Sequence, residues 1–200
     1  MISGLTKNPP ILFLTSLMVL ILTAIIFNRF LDWHEHRTGI YFQDPFFTLF
    51  KAIDLSVITF IALYSSIFLY IALNFKKWQS LSLVIISYTF VLWMRLLMLW
   101  ILPFYADYDA VKLNDPLLNT FIYPGNYVAR DLFFSGHVAL LTLLILGSEK
   151  QWMKMWFTLT TIIVGITVVL QKVHFSVDVI AAPFFSLLAF YMARKIIIRR

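Results

Sequence analysis

The sequence predicts an all-α fold: a polytopic membrane helix bundle with six transmembrane helices and both termini in the cytoplasm. Hydrophobic residues make up 61% of the chain and charged residues only 13%, whereas soluble domains are on average about half apolar and a quarter charged. The apolar residues are gathered in six runs, at 11–27, 55–73, 81–102, 132–146, 155–170 and 175–193. No Pro/Gly/Ser-rich linker divides the 200 residues, which predicts a single integral membrane domain over 1–200.

The lengths of the runs differ. A bilayer core takes about 17 to 25 helical residues, so the second, third and sixth runs are long enough to cross. The fourth and fifth are short, and we expect them to be shallow or to start below the surface. The first run follows Lys7 and is followed by Asn28-Arg29-Phe30. Because this triplet offers no small-residue cleavage site, the run is predicted to be a retained helix rather than a signal peptide.

The distribution of charge sets the predicted orientation. With a cytoplasmic N-terminus, the cytoplasmic side carries nine basic residues and one acid, Glu149, while the outer side carries six basic residues and nine acids. This bias agrees with the positive-inside rule. The basic residues of 194–200 then lie at the anionic inner leaflet, which explains the net charge of +6 without a nucleic-acid partner. Cysteine is absent, which excludes disulfides and thiolate catalysis.

His174 and Asp178 begin the sixth run and are four residues apart, so they share one helical face with Cβ atoms about 5 to 6 Å apart. Because helical side chains lean toward the N-terminus, Asp178 points back at His174. Such a carboxylate holds one imidazole nitrogen protonated and leaves the other as a nucleophile or base. The alternative is an interfacial histidine with a structural acid, although ionisable residues at membrane depth are usually functional.

Ser135-Gly136-His137 begins the fourth run. Asp131 or Ser135 can cap this helix, and the amides around Ser135 and Gly136, together with the helix dipole, form a cradle for an anion. His137 then lies within reach of a bound phosphate and can protonate a leaving oxygen. The alternative is an ordinary helix start with a buried histidine.

Arg95 lies in the third run, seven residues before Leu102 and therefore about 10 Å below its outer end. A buried guanidinium that faces a site is a bidentate phosphate ligand. The alternatives are an arginine that snorkels to the surface or a structural partner of Asp54 or Asp178. Arg95 lies at a depth similar to that of the two histidines and the aspartate, so we predict one site at the outer face.

His34 and His36 form an H-x-H pair in the first outer loop, 28–54, where no further metal ligand is obvious. Residues two apart do not share a helical face. We therefore expect no metal site there and interpret this loop as an interfacial segment rich in aromatic residues.

The motifs D-L-F-F-S-G-H at 131–137 and H-F-S-V-D-V-I-A at 174–181 resemble the two signature motifs of the sphingomyelin synthase branch of the type 2 phosphatidic acid phosphatase superfamily. The similarity extends more weakly to Gln43-Asp44-Pro45 and to Arg95 ahead of Leu102-Pro103. The resemblance implies six spans and a triad that acts on phospholipid phosphate at the exoplasmic face. The residues carried over are His137, His174 and Asp178, with Asp131 and Asp44 as possible supporting residues.

The chain departs from the family pattern at several positions. Ala129-Arg130 stands where the branch has C-G, Phe175 follows the second histidine in place of tyrosine, and Pro183 replaces a further tyrosine. The broader superfamily has an arginine six residues before the second histidine, where this chain has Val168, so Arg95 is the best candidate to replace it. These departures bear on the identity of the substrate more than on the reaction.

The predicted function is a lipid head-group phosphotransferase with a phosphohistidine intermediate. Its partners are a phospholipid donor and a lipid alcohol such as ceramide or diacylglycerol, or water, and it needs no metal and no other cofactor. The nearest alternative is a lipid phosphate phosphatase that uses the same triad with water. A more distant alternative is a transporter or structural membrane protein without the chemistry. The predicted location is the bacterial inner membrane, with the site on the exoplasmic side; the sequence does not indicate an oligomeric state.

Overall fold

The computed structural model describes residues 8–107, 109–111 and 130–197, and these residues form helices without a β-strand. The six helices are α1 (Pro9–His34), α2 (Ser56–Asn74), α3 (Trp78–Ile101), α4 (Gly136–Gly147), α5 (Gln151–Leu170) and α6 (Ser176–Ile197). A short 3-10 helix, Pro45–Leu49, lies between α1 and α2. The prediction of an all-α fold is confirmed. Residues 112–129, which make up most of the segment between the third and fourth apolar runs, lie outside the described residues.

Five of the six helices are long and apolar enough to cross a membrane: α1, α2, α3, α5 and α6. α4 has 12 residues, which at 1.5 Å per residue gives about 18 Å, less than the roughly 30 Å of a hydrocarbon core. The count of six spans and the cytoplasmic termini therefore stay predictions. α4 begins at Gly136 rather than at Leu132, because Ser135 accepts a hydrogen bond from the Val138 amide and caps the helix there.

The expectation of a short fifth helix was wrong. α5 begins at Gln151, four residues before the apolar run, and has 20 residues. The added first turn contains Trp152 and Lys154 as well as Met153. Helical backbone hydrogen bonds do not require apolar side chains, so a helix can extend past the apolar run by which it was recognised.

α4 lies at the centre of the bundle and packs against α2, α3, α5 and α6. Its side chains from Val138 to Leu144 are accordingly buried, except that of Leu140, which is half-buried. α1 packs chiefly against α3 and leaves most of its apolar side chains exposed, as expected of a peripheral helix that faces lipid. The short central helix therefore carries its first residues into the interior of the bundle.

Hydroxyl and amide side chains join α2 to α5. Thr59 donates to Thr167 over 2.8 Å, and Ser66 donates to Thr160 over 3.0 Å. At the end of α5, the side-chain nitrogen of Gln171 donates to the hydroxyl of Thr59 over 3.0 Å, and its side-chain oxygen accepts from the hydroxyl of Ser56 over 3.0 Å. Hydrogen bonds of this kind hold membrane helices together, where the hydrophobic effect contributes little between them. They fix the end of α5, from which the chain turns toward His174.

The ends of α1, α3 and α5 and the beginnings of α2, α4 and α6 lie together, and we call this the site end of the bundle. In the connection between α5 and α6, Lys172 has a φ of 55°. Its buried side chain lies 2.9 Å from the carboxylate of Asp109 and 5.4 Å from the centre of the Phe47 ring. The Val111 amide also donates to the Gln171 carbonyl over 2.9 Å. These contacts attach residues 109–111 to the α5–α6 connection.

Replacing Lys172 with Met or Asp109 with Asn should lower the free energy of unfolding by about 1 to 3 kcal/mol, because either change leaves one charge of a largely buried pair without its partner. The free energy of unfolding of the double variant should fall by less than the sum of the decreases in the two single variants. Reversible unfolding of the four proteins in detergent measures this coupling. Strict additivity of the two losses would contradict the pairing.

The same pair should make stability depend on pH. Burial raises the pKa of Asp109, but the hydrogen bond and positive charge of Lys172, together with a hydrogen bond shared with Asp107, outweigh burial and hold the pKa below the usual 3.8. A lowered folded-state pKa means that the stabilisation is fully present above pH 3.8 and is lost as the pH falls through the folded value. The difference in unfolding temperature between the natural protein and Asp109→Asn should therefore shrink below about pH 4. A constant difference down to pH 2 would contradict this account.

Candidate functional site

Two buried carboxylates hold the beginning of α6. Asp44 accepts hydrogen bonds from the amides of Ser176, at 2.5 Å, and Phe46, at 2.9 Å. Asp178 accepts from the amide of Phe175 at 2.9 Å. The first amides of a helix lack intrahelical acceptors, and negative charge is favourable there. The structure thus places Asp44, a supporting residue in the sequence analysis, where it fixes the position of the residues next to His174.

His174 and Asp178 are both buried and face each other. Nδ1 of His174 lies 3.5 Å from Oδ2 of Asp178, although this contact does not have the geometry of a hydrogen bond. The other carboxylate oxygen, Oδ1, has no hydrogen-bond partner within the described residues. Contacts of catalytic groups are often long without substrate and shorten when it binds. The arrangement leaves Nε2 as the ring nitrogen of His174 that is turned away from the acid.

His137 lies next to His174. The ring centroids are 6.1 Å apart with an interplanar angle of 70°, so one imidazole meets the other edge to face. His137 also contacts the ring of Phe60 on α2, at 6.1 Å between centroids. Because the two rings are in contact, a single phosphoryl group can reach both imidazoles.

The side chain of Arg95 extends from α3 to Gly136, next to His137. Its Nε donates to the Phe134 carbonyl over 2.8 Å, and its Nη2 lies 2.5 Å from Oδ1 of Asp131. The guanidinium is buried against the backbone of Gly136, where a Cβ would come within 2.5 Å of Nη1. Arg95 is therefore paired with Asp131. Neither of the two partners considered from the sequence, Asp54 and Asp178, has this role, and Asp54 instead accepts from the amide and hydroxyl of Ser56.

Ser135 differs in one respect from the expectation. Its hydroxyl caps α4, as expected, by accepting from the Val138 amide at 3.5 Å. Its own amide, however, donates to the Asp178 carbonyl over 3.2 Å, so this N–H is already used. The amides of Gly136 and His137 occupy the first helical positions, where a helix provides no acceptor. An anion cradle at α4 therefore begins at Gly136 rather than at Ser135.

A cluster of phenylalanines covers the loop that carries His174. Phe42, Phe47 and Phe104 surround Phe175, with ring centroids 5.1, 5.4 and 5.8 Å away. The sequence analysis assigned the first outer loop to the membrane interface, and for Phe42 and Phe47 this was wrong, because they pack inside the protein. Composition did not distinguish these inward residues from exposed neighbours such as Tyr41 and Phe46.

The two histidines of the H-x-H pair lie in different environments. His36 is exposed and its Nδ1 lies 2.9 Å from the Asp32 carbonyl, whereas His34 is completely buried at the end of α1. An interfacial position therefore describes His36 but not His34. Within the described ranges, no three His, Cys, Asp or Glu side chains are grouped as a metal site. Sequence reasoning also gave no role to Lys172, Arg37 or Arg130, since nothing in their local pattern separates them from ordinary surface cations.

Residues 130–195 match the family model described as PAP2 superfamily C-terminal. The match covers about a third of the chain and includes both histidines, Asp178, Asp131 and Ser135-Gly136. No curated protein and no solved structure matches the chain significantly. The family match supports the PAP2 superfamily and suggests phosphatase or phosphotransferase activity on lipid phosphates, without supporting the sphingomyelin synthase-like branch. Residues 130–195, which contain α4, α5 and most of α6, are therefore similar to the C-terminal part of the PAP2 superfamily.

Proposed function

We propose that this protein is a lipid head-group phosphotransferase that acts on phospholipid through His137, His174 and Asp178. The observation that carries the proposal is the contact between two imidazoles, one of which is backed by a buried carboxylate. Acid–base and nucleophilic roles need two such groups within reach of one reacting atom. The resemblance of both motifs to the sphingomyelin synthase branch favours transfer to a lipid alcohol such as ceramide or diacylglycerol.

In the first step, Nε2 of His174 attacks the phosphorus of the donor. A nitrogen–phosphorus bond forms, and the bond from phosphorus to the diacylglycerol oxygen breaks. Asp178 stabilises the positive charge that develops on the His174 ring, as the acid of a catalytic triad does. His137 gives its proton to the departing alkoxide. The head group is then attached to His174 as a phosphohistidine, and diacylglycerol leaves.

In the second step, His137 takes the proton of the acceptor hydroxyl, whose oxygen attacks phosphorus. The nitrogen–phosphorus bond breaks, and the head group is transferred with its phosphate. Each acid or base contribution of His137 is worth about 10² to 10⁴ in rate. With both steps, the two imidazoles and the carboxylate return to their starting protonation states.

Arg95 supplies the positive charge at the phosphate. Two of its nitrogens are bound to Phe134 and Asp131, while Nη1 lies at Gly136, the first residue of the anion cradle. This arrangement supports a phosphate position at Gly136, next to Nη1 of Arg95 and the first α4 amides. Fixed donors around developing charge commonly supply the largest single contribution to such a reaction.

A lipid phosphate phosphatase is the second candidate, with water in place of the lipid alcohol. The match to the PAP2 superfamily favours it, since that similarity suggests a phosphatase-type enzyme. The charge distribution of the loops supports placing the site end at the exoplasmic face of an inner membrane in either case.

His174→Ala should lower turnover of head-group-labelled phospholipid by at least about 10⁴, because it removes the nucleophile. Asp178→Asn should lower it by a smaller factor, since the nucleophile remains. His36→Ala, which removes an exposed histidine outside the site, is the matched control and should keep full activity. Product release is measured with purified protein in mixed micelles. Turnover retained in His174→Ala would refute the enzymatic proposal.

Gly136→Ala should lower kcat/KM by about 10- to 100-fold, because the added methyl group displaces Nη1 of Arg95 from the cradle. Gly165→Ala is the control, since its methyl group would meet only the side chains of Val179, at 3.0 Å, and Val138, at 3.9 Å. Both variants should unfold at similar temperatures. Equal activity of the two variants would show that the Arg95–Gly136 contact does not matter for turnover.

The effect of an added lipid alcohol on the products distinguishes the two candidate functions. With phospholipid labelled in its head group, added ceramide, or added diacylglycerol whose acyl chains differ from those of the donor, should yield a new labelled lipid if the protein is a transferase. Thin-layer chromatography or mass spectrometry detects this product. Release of only water-soluble phosphate or phosphomonoester, whatever alcohol is added, would rule out transfer and favour the phosphatase.

A further inference from the structure

Two half-buried arginines lie together at the site end, outside the proposed triad. Nη1 of Arg130 donates to the carbonyl of Arg37, and the Arg130 guanidinium lies 4.3 Å above the ring of Tyr105. Arg37 donates to the Trp100 carbonyl over 3.0 Å and lies 4.9 Å above the Trp33 ring. Aromatic rings and backbone carbonyls thus hold both guanidinium groups in place.

Neither guanidinium forms an ion pair with a carboxylate in the part of the chain that the structure describes. Glu35 is near, but it accepts a hydrogen bond from the backbone amide of Arg130, over 3.2 Å. Each guanidinium has five N–H donors, and one carbonyl apiece accepts from them within the described residues. Two adjacent cations with donors to spare favour an anionic ligand.

His34 is completely buried, and its carbonyl oxygen accepts a hydrogen bond from the Arg37 amide over 3.1 Å. Phe30 stacks on its ring, with the ring centroids 5.4 Å apart. Neither ring nitrogen has a hydrogen-bond partner in the described structure. A buried polar group without a partner is costly, and an oxygen of a bound anion would remove that cost. This imidazole is an observation independent of the two arginines.

Two sets of contacts connect the arginines to residues next to the triad. Arg130 precedes Asp131, which binds Arg95. In addition, the backbone of Ile40 bonds to Pro103 and Tyr105, over 2.7 and 3.1 Å. This pairing places Tyr105 under Arg130, while the adjacent Phe104 contacts the ring of Phe175, the neighbour of His174. These contacts link the arginines to the residues that surround His174.

We propose that Arg37, Arg130 and His34 form a second anion subsite, which takes a carboxylate or phosphate group other than the reacting phosphate. This inference rests on the proposed function and narrows its substrate class to phospholipids whose head group carries an additional oxyanion. Guanidinium groups suit both anions because their planar N–H pairs match two oxygens at once. Arg130 stands where the resembled branch has glycine, so the subsite would be a property of this chain.

The test measures binding separately from turnover. Purified His174→Ala protein in neutral detergent is titrated with lysophosphatidylserine and with lysophosphatidylethanolamine, which differ by one carboxylate. The titrations are repeated after adding Arg37→Gln and Arg130→Gln together. The control adds Arg29→Gln, which removes an exposed arginine from the same helix. A third arm measures the rise in unfolding temperature produced by inorganic phosphate.

The serine lipid should bind about tenfold more tightly than the ethanolamine lipid, the gain expected of a charge-assisted hydrogen bond. The double substitution should abolish this ratio, and Arg29→Gln should preserve it. A phosphate-dependent stabilisation that the double substitution removes, without any preference between the lipids, would assign the subsite to free phosphate. Equal binding of both lipids together with no arginine-dependent phosphate effect would overturn the subsite. Natural protein that binds selectively but turns over no phospholipid would instead refute the proposed function.

Discussion

The hydrogen bond from the Ser135 amide to the Asp178 carbonyl joins the first residues of α4 to the first turn of α6. The other features of the site depend on this junction. His137 lies two residues after Ser135, and His174 lies four residues before Asp178, so the junction fixes both imidazoles relative to each other. α4 is short and surrounded by four helices. Its first residues are therefore held inside the bundle rather than at the surface, where the chain could move.

Three carboxylates at the site end each have a defined partner among the described residues. Asp44 and Asp178 bind the amides that begin α6, while Asp131 binds Arg95. Isolated charges in an apolar interior are expensive, and pairing or hydrogen bonding lowers that cost. In the proposed function, a phosphate at Gly136 would meet Arg95 already oriented by Asp131 and the Phe134 carbonyl. The pairing that lowers the cost of these charges also holds Arg95 in one position.

Sequence reasoning found the features that depend on local pattern. The apolar runs predicted all six α-helices that the structure describes. His174 and Asp178 face each other, but His174 lies in the connection before α6 and does not share a helical face with Asp178 as the spacing had predicted. Features that depend on tertiary contacts were missed or mistaken. The first turn of α5 is helical without being apolar, the Ser135 amide is occupied by Asp178, and the partner of Arg95 is Asp131. Phe42 and Phe47 turn inward because Phe175 is there to receive them, which no property of their own segment indicates.

The central claim is that one phosphoryl group can contact both imidazoles and Arg95. An experimental structure with orthovanadate, which mimics a phosphoryl group in transfer, tests it most directly. We expect vanadium bonded to Nε2 of His174, with its oxygens within about 3.2 Å of His137, of Nη1 of Arg95 and of the Gly136 amide. Vanadate bound elsewhere in the bundle, or histidine rings that point away from each other, would contradict the account.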